Sequence, residues 1–192
     1  MIYEMRRFAT TILVLAMIAP VMTAPLAVRD IDGHVWTPLT PAHGETNVVF
    51  FVSSDCPVSA RYAPEMDRIA TDYAARGVHT WLVYADLTAT IPSVRANVKS
   101  FHPATKAPVV IDAGFELTTA ADATVTPEVA VYTASGLAYR GRIDDLYVSI
   151  GQARREAQHH DLRDALDAVI AGRTIATPRT SAIGCYIERP RR

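Results

Sequence analysis

The chain has 192 residues, enough for about one domain and a tail. Hydrophobic residues make up 49% and charged residues 20%, which excludes a disordered chain. Lys and Arg number 19 against 20 Asp and Glu, for a net charge of -1, and without a basic stripe nucleic-acid binding is not expected. There are two cysteines, Cys56 and Cys185. They cannot build a disulfide-rich scaffold or a four-cysteine zinc site. They can form one disulfide, one redox pair or two unrelated thiols.

Arg6-Arg7 precedes an uncharged run from Phe8 to Val28, the pattern of a secretory signal over residues 1–24. The most apolar part, Ile12 to Met22, is short for a membrane span, so membrane attachment is expected only if the signal stays uncleaved. The folded part is expected outside the cytoplasm, periplasmic or secreted, where a disulfide persists.

Leu26 to Trp36 alternates around Asp32-Gly33 and predicts a hairpin. Val48 to Val52 is a continuous apolar run, the mark of a strand buried on both faces. Pro57 to Arg76 reads as a helix: Val58, Tyr62, Met66, Ile69 and Tyr73 recur every three or four residues. His79 to Ala85 predicts a second buried strand, with Trp81 and Tyr84 as core or sheet residues, and Pro92 opens a second helix. A short strand at 108–111 and a weak helix around 115–121 follow. The strands at 128–132 and 137–143 meet at Ser135-Gly136 as a hairpin. Residues 144–160 read as irregular, 161–171 as the last helix, and 173–192 as a tail carrying Cys185. This order implies an α/β sandwich with a mixed sheet.

Cys56 lies between a buried strand and a helix, at the expected helix N-cap. The N–H groups and dipole of a helix start favour a thiolate. Pro57 suits the first helical position, where its missing N–H is not needed. The Ser59 hydroxyl, three residues on, is placed to donate to the sulfur. The bland alternative is an inert buried cysteine.

The stretch Asp55-Cys56-Pro57-Val58-Ser59-Ala60-Arg61-Tyr62-Ala63-Pro64 resembles the active-site helix of thioredoxin-like proteins. Cys56 stands at the nucleophile's place and Pro64 at that of the kinking proline. Thr126-Pro127 resembles the family's cis-proline. The block from Ala107 to Gly136 is similar to the redoxin branch, related to alkyl hydroperoxide reductase/thiol-specific antioxidant proteins. The resemblance covers roughly residues 26–172, within a domain read as residues 25–172. It implies a thioredoxin-like α/β/α sandwich with a mixed central sheet, an N-terminal hairpin and an insertion before the cis-proline strand. It also implies a catalytic Cys56, with Ser59 donating to it and Pro127 shaping a groove, and substrate contacts from Pro57, Thr126 and Ser53. No cofactor and no metal are expected.

The departures from the family are specific. Ser59 replaces the second cysteine of C-x-x-C, Phe50 stands where thioredoxins bury an acid, and Asp55 replaces the preceding tryptophan. An acid beside the nucleophile opposes its ionisation unless it faces water. Cys185 then has three readings: a resolving thiol, a structural staple or an independent thiol. Thr180, Ser181 and Gly184 favour a mobile tail, and with it the first reading.

The expected function is an exported thiol–disulfide oxidoreductase acting on protein thiols or disulfides, with an unidentified reductant. A peroxiredoxin-like peroxidase is the rival. Ser53-Ser54-Asp55-Cys56 supplies its S-x-x-C, but Val49 replaces its proline, and Pro127 falls where that family keeps a non-proline residue near an arginine. Arg140 or Arg142 is the substitute arginine, unless both decorate an exposed strand. A binding protein on the same scaffold is the third reading. His159-His160 reads as solvated surface, and Arg142-Ile143-Asp144-Asp145 as an ion-paired turn or a loop beside Pro127.

Overall fold

A computed structural model describes residues 24–189. The signal read over residues 1–24 lies, but for Ala24, outside the described residues. Strands β1 (Val28–Arg29) and β2 (Val35–Trp36) pair antiparallel as the expected hairpin. Its turn is held by Asp30, whose carboxylate accepts from the Trp36 indole at 2.8 Å and from the Asp32 and His34 N–H groups at 2.9 Å. Gly33 supplies the positive φ of 91° that the turn requires.

β3 (Thr46–Val52) is buried at every position. It pairs parallel with β4 (Val78–Tyr84), and β4 pairs parallel with β5 (Val109–Ile111). On its other side β3 pairs antiparallel with β7 (Glu128–Thr133), which pairs with β8 (Gly136–Gly141). The sheet order is β5-β4-β3-β7-β8. The continuous apolar run of β3 follows from this central place.

Side chains alternate across β3. Val48, Phe50 and Val52 face α1 (Pro57–Ala74), α2 (Ile91–Phe101) and α4 (Asp161–Ile170), through Ile69, Val94 and Leu166. Val49 and Phe51 face Trp81, Leu117 of α3 (Glu116–Ala120) and Trp36 of the hairpin. Helices thus cover both faces, as an α/β/α sandwich requires. Each such apolar side chain contributes about 1.5–3 kcal/mol by burial. The periodic face read on α1 is the buried one, and Trp81 and Tyr84 are core residues.

The segment between β5 and β7 carries α3 and the short β6 (Val125–Thr126). Asp112 anchors its start: the buried carboxylate accepts from the Leu117 and Thr118 N–H groups at 3.2 and 2.8 Å and from the Thr118 hydroxyl at 2.6 Å. Glu128 anchors its end, accepting from the Thr124 and Val125 N–H groups at 2.8 and 3.4 Å. These two acids fix the backbone that reaches the Cys56 sulfur. Residues 144–160, expected to be irregular, include a small hairpin of β9 (Tyr147–Ser149) and β10 (Gln152–Ala153).

The tail departs from the sequence expectation. Instead of trailing freely, its described part is docked from Pro178 to Arg189. Arg140 exchanges backbone hydrogen bonds with Pro178 and Thr180 at 3.0 and 3.1 Å. β11 (Cys185–Tyr186) then pairs antiparallel with β6, placing Cys185 opposite Thr126. The Ile187 N–H donates to the Thr124 carbonyl at 3.0 Å, and Arg189 to that of Ala123 at 2.9 Å. The physical reason is that open edges of β8 and β6 carry backbone groups that need partners. Among the described residues no helix is long and apolar enough to cross a membrane.

Candidate active site

Cys56 ends the loop after β3 and is the N-cap of α1, with Pro57 at the first helical position. Its φ and ψ of -89° and 110° turn the side chain back over the helix start, where the Ser59 N–H donates to Sγ at 3.4 Å. The Cys56 thiol donates to the Thr126 carbonyl at 2.9 Å, across 70 residues of sequence. The Thr126-Pro127 bond is cis, and both residues are buried. Cys56 itself is only 2% exposed.

Cys185 completes the enclosure. Its pairing opposite Thr126, whose carbonyl holds the Cys56 thiol, brings its side chain beside Cys56, and no disulfide joins them. The two thiols are pushed in opposite directions. Burial raises the Cys56 thiol, but the groups able to donate to the ionised sulfur, which are the Cys185 thiol, the Ser59 side chain and N–H and the Thr126 side chain, outweigh burial and leave it below its ordinary value. Cys185 is pushed up to about 12 by burial, by its hydrogen bond to Cys56 and by the charge of that sulfur. Of the two thiols, Cys56 is the one that ionises first.

The pair titrates as a unit. Cys56 is lower folded than unfolded, so its stability contribution is present above the unfolded thiol value and lost as pH falls through the folded one. Cys185 has the opposite sign: its contribution is present below the unfolded thiol value and lost as pH rises toward about 12. The wild type should therefore lose stability faster above the ordinary thiol range than Cys185→Ser does. Urea midpoints taken across alkaline pH for the two proteins test this; parallel curves would contradict it.

Two expected roles change in detail. The hydrogen bond assigned from sequence to the Ser59 hydroxyl is made by the Ser59 backbone N–H. The hydroxyl is buried without a hydrogen-bond partner while the Cys56 proton points to Thr126. The reason is cap geometry, which aims the third helical N–H at the cap side chain. The hydroxyl is then free to donate once Cys56 ionises. Ser53, expected to touch substrate, also shapes the loop: its carbonyl accepts from the Cys56 N–H at 3.4 Å and its hydroxyl from the Asp55 N–H at 3.4 Å. Asp55 is exposed, so its charge is dispersed in water. Pro57 is exposed beside the site, while Thr126 meets the sulfur through its backbone. Phe50 packs in the core, an apolar neighbour with no proton to exchange.

The structure adds residues that sequence reasoning passed over. Gly184 runs so close to β6 that a Cβ would overlap the Thr126 carbonyl and lie 3.1 Å from the Pro127 nitrogen. A glycine just before the second cysteine was the available signal. Asp144 and Asp145, read as part of a surface turn, are buried. Asp144 accepts from the Tyr62 hydroxyl at 2.6 Å, and Asp145 from the Gln158 and His159 N–H groups at 2.6 and 3.0 Å. Arg142 pairs with Asp161 at 2.7 Å, and Arg140 with Asp122 at 2.9 Å and Glu128 at 3.8 Å. Both arginines are held by carboxylates.

No protein-family model and no curated protein matches the chain. Solved structures do. A hypothetical protein of Sinorhizobium meliloti is 27% identical, with a TM-score of 0.71 over 85% of this chain and 90% of that one. A thioredoxin-like protein of Aeropyrum pernix is 16% identical, with a TM-score of 0.53 over 77% of this chain and 89% of that one. The fold is thioredoxin-like. A secreted disulfide oxidoreductase of Mycobacterium tuberculosis shares it at 15% identity, with a TM-score of 0.51 over 77% of this chain and 95% of that one. Within the thioredoxin-like fold, the sulfur of Cys56 sits where strand β3 hands over to helix α1, and the tail strand lies outside the sheet, against β6.

Proposed function

We propose that this protein is an exported thiol–disulfide oxidoreductase in which Cys56 attacks and Cys185 resolves. The observation that carries the reading is that two free cysteines meet at Thr126, Cys56 through its sulfur on the Thr126 carbonyl and Cys185 as the strand partner of Thr126. A thiolate is the attacking species in disulfide exchange. Cys56 attacks one sulfur of a substrate disulfide, forms a mixed disulfide and releases the other sulfur as a thiolate, which takes up a proton. Cys185 gives up its proton and attacks the Cys56 sulfur. The Cys56–Cys185 bond forms, and the second substrate thiol leaves with a proton. The substrate disulfide is reduced to two thiols and the cysteine pair is oxidised by the same two electrons. An external dithiol restores the pair.

Export is supported by the leader pattern of residues 1–24 and by the secreted thioredoxin-like relative. The ion pairs of Arg140 and Arg142 favour disulfide exchange over peroxide reduction, which needs a cation close to the sulfur.

Mass spectrometry across a glutathione redox titration tests the assignment. The wild type is expected to form one reversible Cys56–Cys185 disulfide, and Cys185→Ser to hold a glutathione adduct on Cys56. If the folded wild type never forms the internal disulfide, the resolving role is wrong. If Cys56 in Cys185→Ser captures no thiol compound, the oxidoreductase reading is wrong with it.

A further inference from the structure

While the tail is docked, Cys56 is shielded from any bulky substrate. The residue is 2% exposed, and its sulfur is enclosed by the Thr126 carbonyl, the Ser59 N–H and the Cys185 thiol. Any disulfide substrate must first displace β11. That displacement uncovers the outer edge of β6 and the Thr124 carbonyl, backbone groups that β11 and Ile187 otherwise pair. Unpaired strand edges recruit another strand, and main-chain pairing is how an extended peptide is held.

The tail shows what such a strand must look like. Cys185 sits opposite Thr126, whose carbonyl holds the Cys56 sulfur, and in this register its side chain packs into the cluster that includes Cys56. An incoming cysteine on the same edge and in the same direction must take the same register, because side chains alternate along a strand and a one-residue slip turns the sulfur away. Its preceding residue then lies where Gly184 lies, against the Thr126 carbonyl and the Pro127 nitrogen, where a Cβ has no room. These atoms belong to backbone buried around the cis Thr126-Pro127 bond and held by Glu128, so they do not yield as a flexible side chain would.

We propose that the substrate is an extended polypeptide whose reactive cysteine follows a glycine, bound along Val125–Thr126 in place of the protein's own Gly184-Cys185 strand. The proposal rests on the exchange chemistry above and gives the tail two tasks. Docked, it mimics the substrate and shields the thiolate. Returning after the mixed disulfide forms, it reclaims the β6 edge as the Cys185 thiolate attacks the Cys56 sulfur and the peptide thiol departs.

The test uses two pentapeptides, Ile-Gly-Cys-Tyr-Ile and Ile-Ala-Cys-Tyr-Ile, each with its cysteine joined by a disulfide to thionitrobenzoate. Attack by the Cys56 thiolate on the peptide sulfur forms Cys56–S–S–peptide and releases the coloured thionitrobenzoate. A chain ending after Ser181 keeps the Thr180 contacts and lacks β11. In it the glycine peptide is expected to react about tenfold or more faster than the alanine peptide, and both faster than with the full chain. Mass spectrometry confirms the adduct on Cys56. If the shortened chain does not fold, full-length Gly184→Ala, in which the tail is displaced, carries the same comparison. Equal rates for the two peptides overturn the proposal. A small aryl disulfide, dithiobis(nitrobenzoate), separates the two levels: if Cys56 fails to react even with it, the oxidoreductase reading itself is wrong.

Discussion

Cys56→Ser should abolish disulfide exchange and also bring Cys185 down from about 12 toward the ordinary thiol value. The first effect follows from nucleophilicity. A serine hydroxyl at neutral pH is a far weaker nucleophile than a thiolate, so the loss should be about a thousandfold or more. The second follows from what raises Cys185. Burial is the largest cause, and the hydrogen bond to Cys56 and the charge on its sulfur add to it. Serine removes that charge and leaves the burial, so Cys185 should fall part of the way. The rate of Cys185 alkylation against pH measures this directly. A Cys185 that stays near its wild-type value would mean that burial alone sets it and that the two thiols do not share a proton. In the reciprocal variant, Cys185→Ser, Cys56 keeps the Ser59 N–H and the Ser59 and Thr126 side chains, which still favour its thiolate.

Gly141→Ala should destabilise the protein by about 2–4 kcal/mol, within the range for overpacking combined with backbone strain. Gly141 has a φ of 150°, and a Cβ there would overlap the Thr180 side chain and carbonyl and lie 2.8 Å from the Thr180 nitrogen. Thr180 cannot move aside cheaply. Its hydroxyl accepts from the Arg142 N–H at 3.0 Å and bonds the Tyr139 hydroxyl at 2.7 Å, and its N–H donates to the Arg140 carbonyl. The control is Gly136→Ala. Gly136 also has a positive φ, 103°, but nothing lies within 4 Å of its would-be Cβ, so only the backbone penalty of about 1–2 kcal/mol applies. Denaturant midpoints rank the two. Gly141→Ala should also speed alkylation of Cys56, because the tail is lost from Thr180 onward, whereas Gly136→Ala should not. Equal midpoints would show that Thr180 yields without cost.

The elements that carry the nucleophile are legible in the residues because they are periodic and locally determined. The run from Val48 to Val52 has no polar interruption because both faces of β3 are covered. The recurrence of Val58, Tyr62, Met66, Ile69 and Tyr73 records one face of α1. The Cys56–Pro57 step marks a helix start by its own chemistry. The tail is of another kind. β11 has two residues, too few for any period, and its partner β6 has two as well. What fixes them is a single close approach, Gly184 on Thr126, visible only once both backbones are placed. Glycine and small polar residues in residues 180–184 read equally well as a mobile segment. Asp144 and Asp145 illustrate the same limit. An acidic pair in a turn is usually solvated, and only the distant Tyr62 hydroxyl and the Gln158 and His159 N–H groups explain why these two are buried.

The enclosure around the sulfur also sets an order of assembly. Its three walls come from the start of α1, from β6 and from β11, and the Cys56–Thr126 contact alone spans 70 residues. Contacts that far apart close late, after the entropy of the intervening loops has been overcome. The sheet can form before the last wall is in place, since β3, β4, β5, β7 and β8 do not depend on β11. A molecule complete except for β11 would leave the nucleophile bare. The rate at which Cys56 becomes protected from alkylation during refolding is accordingly a clock for the final step of folding.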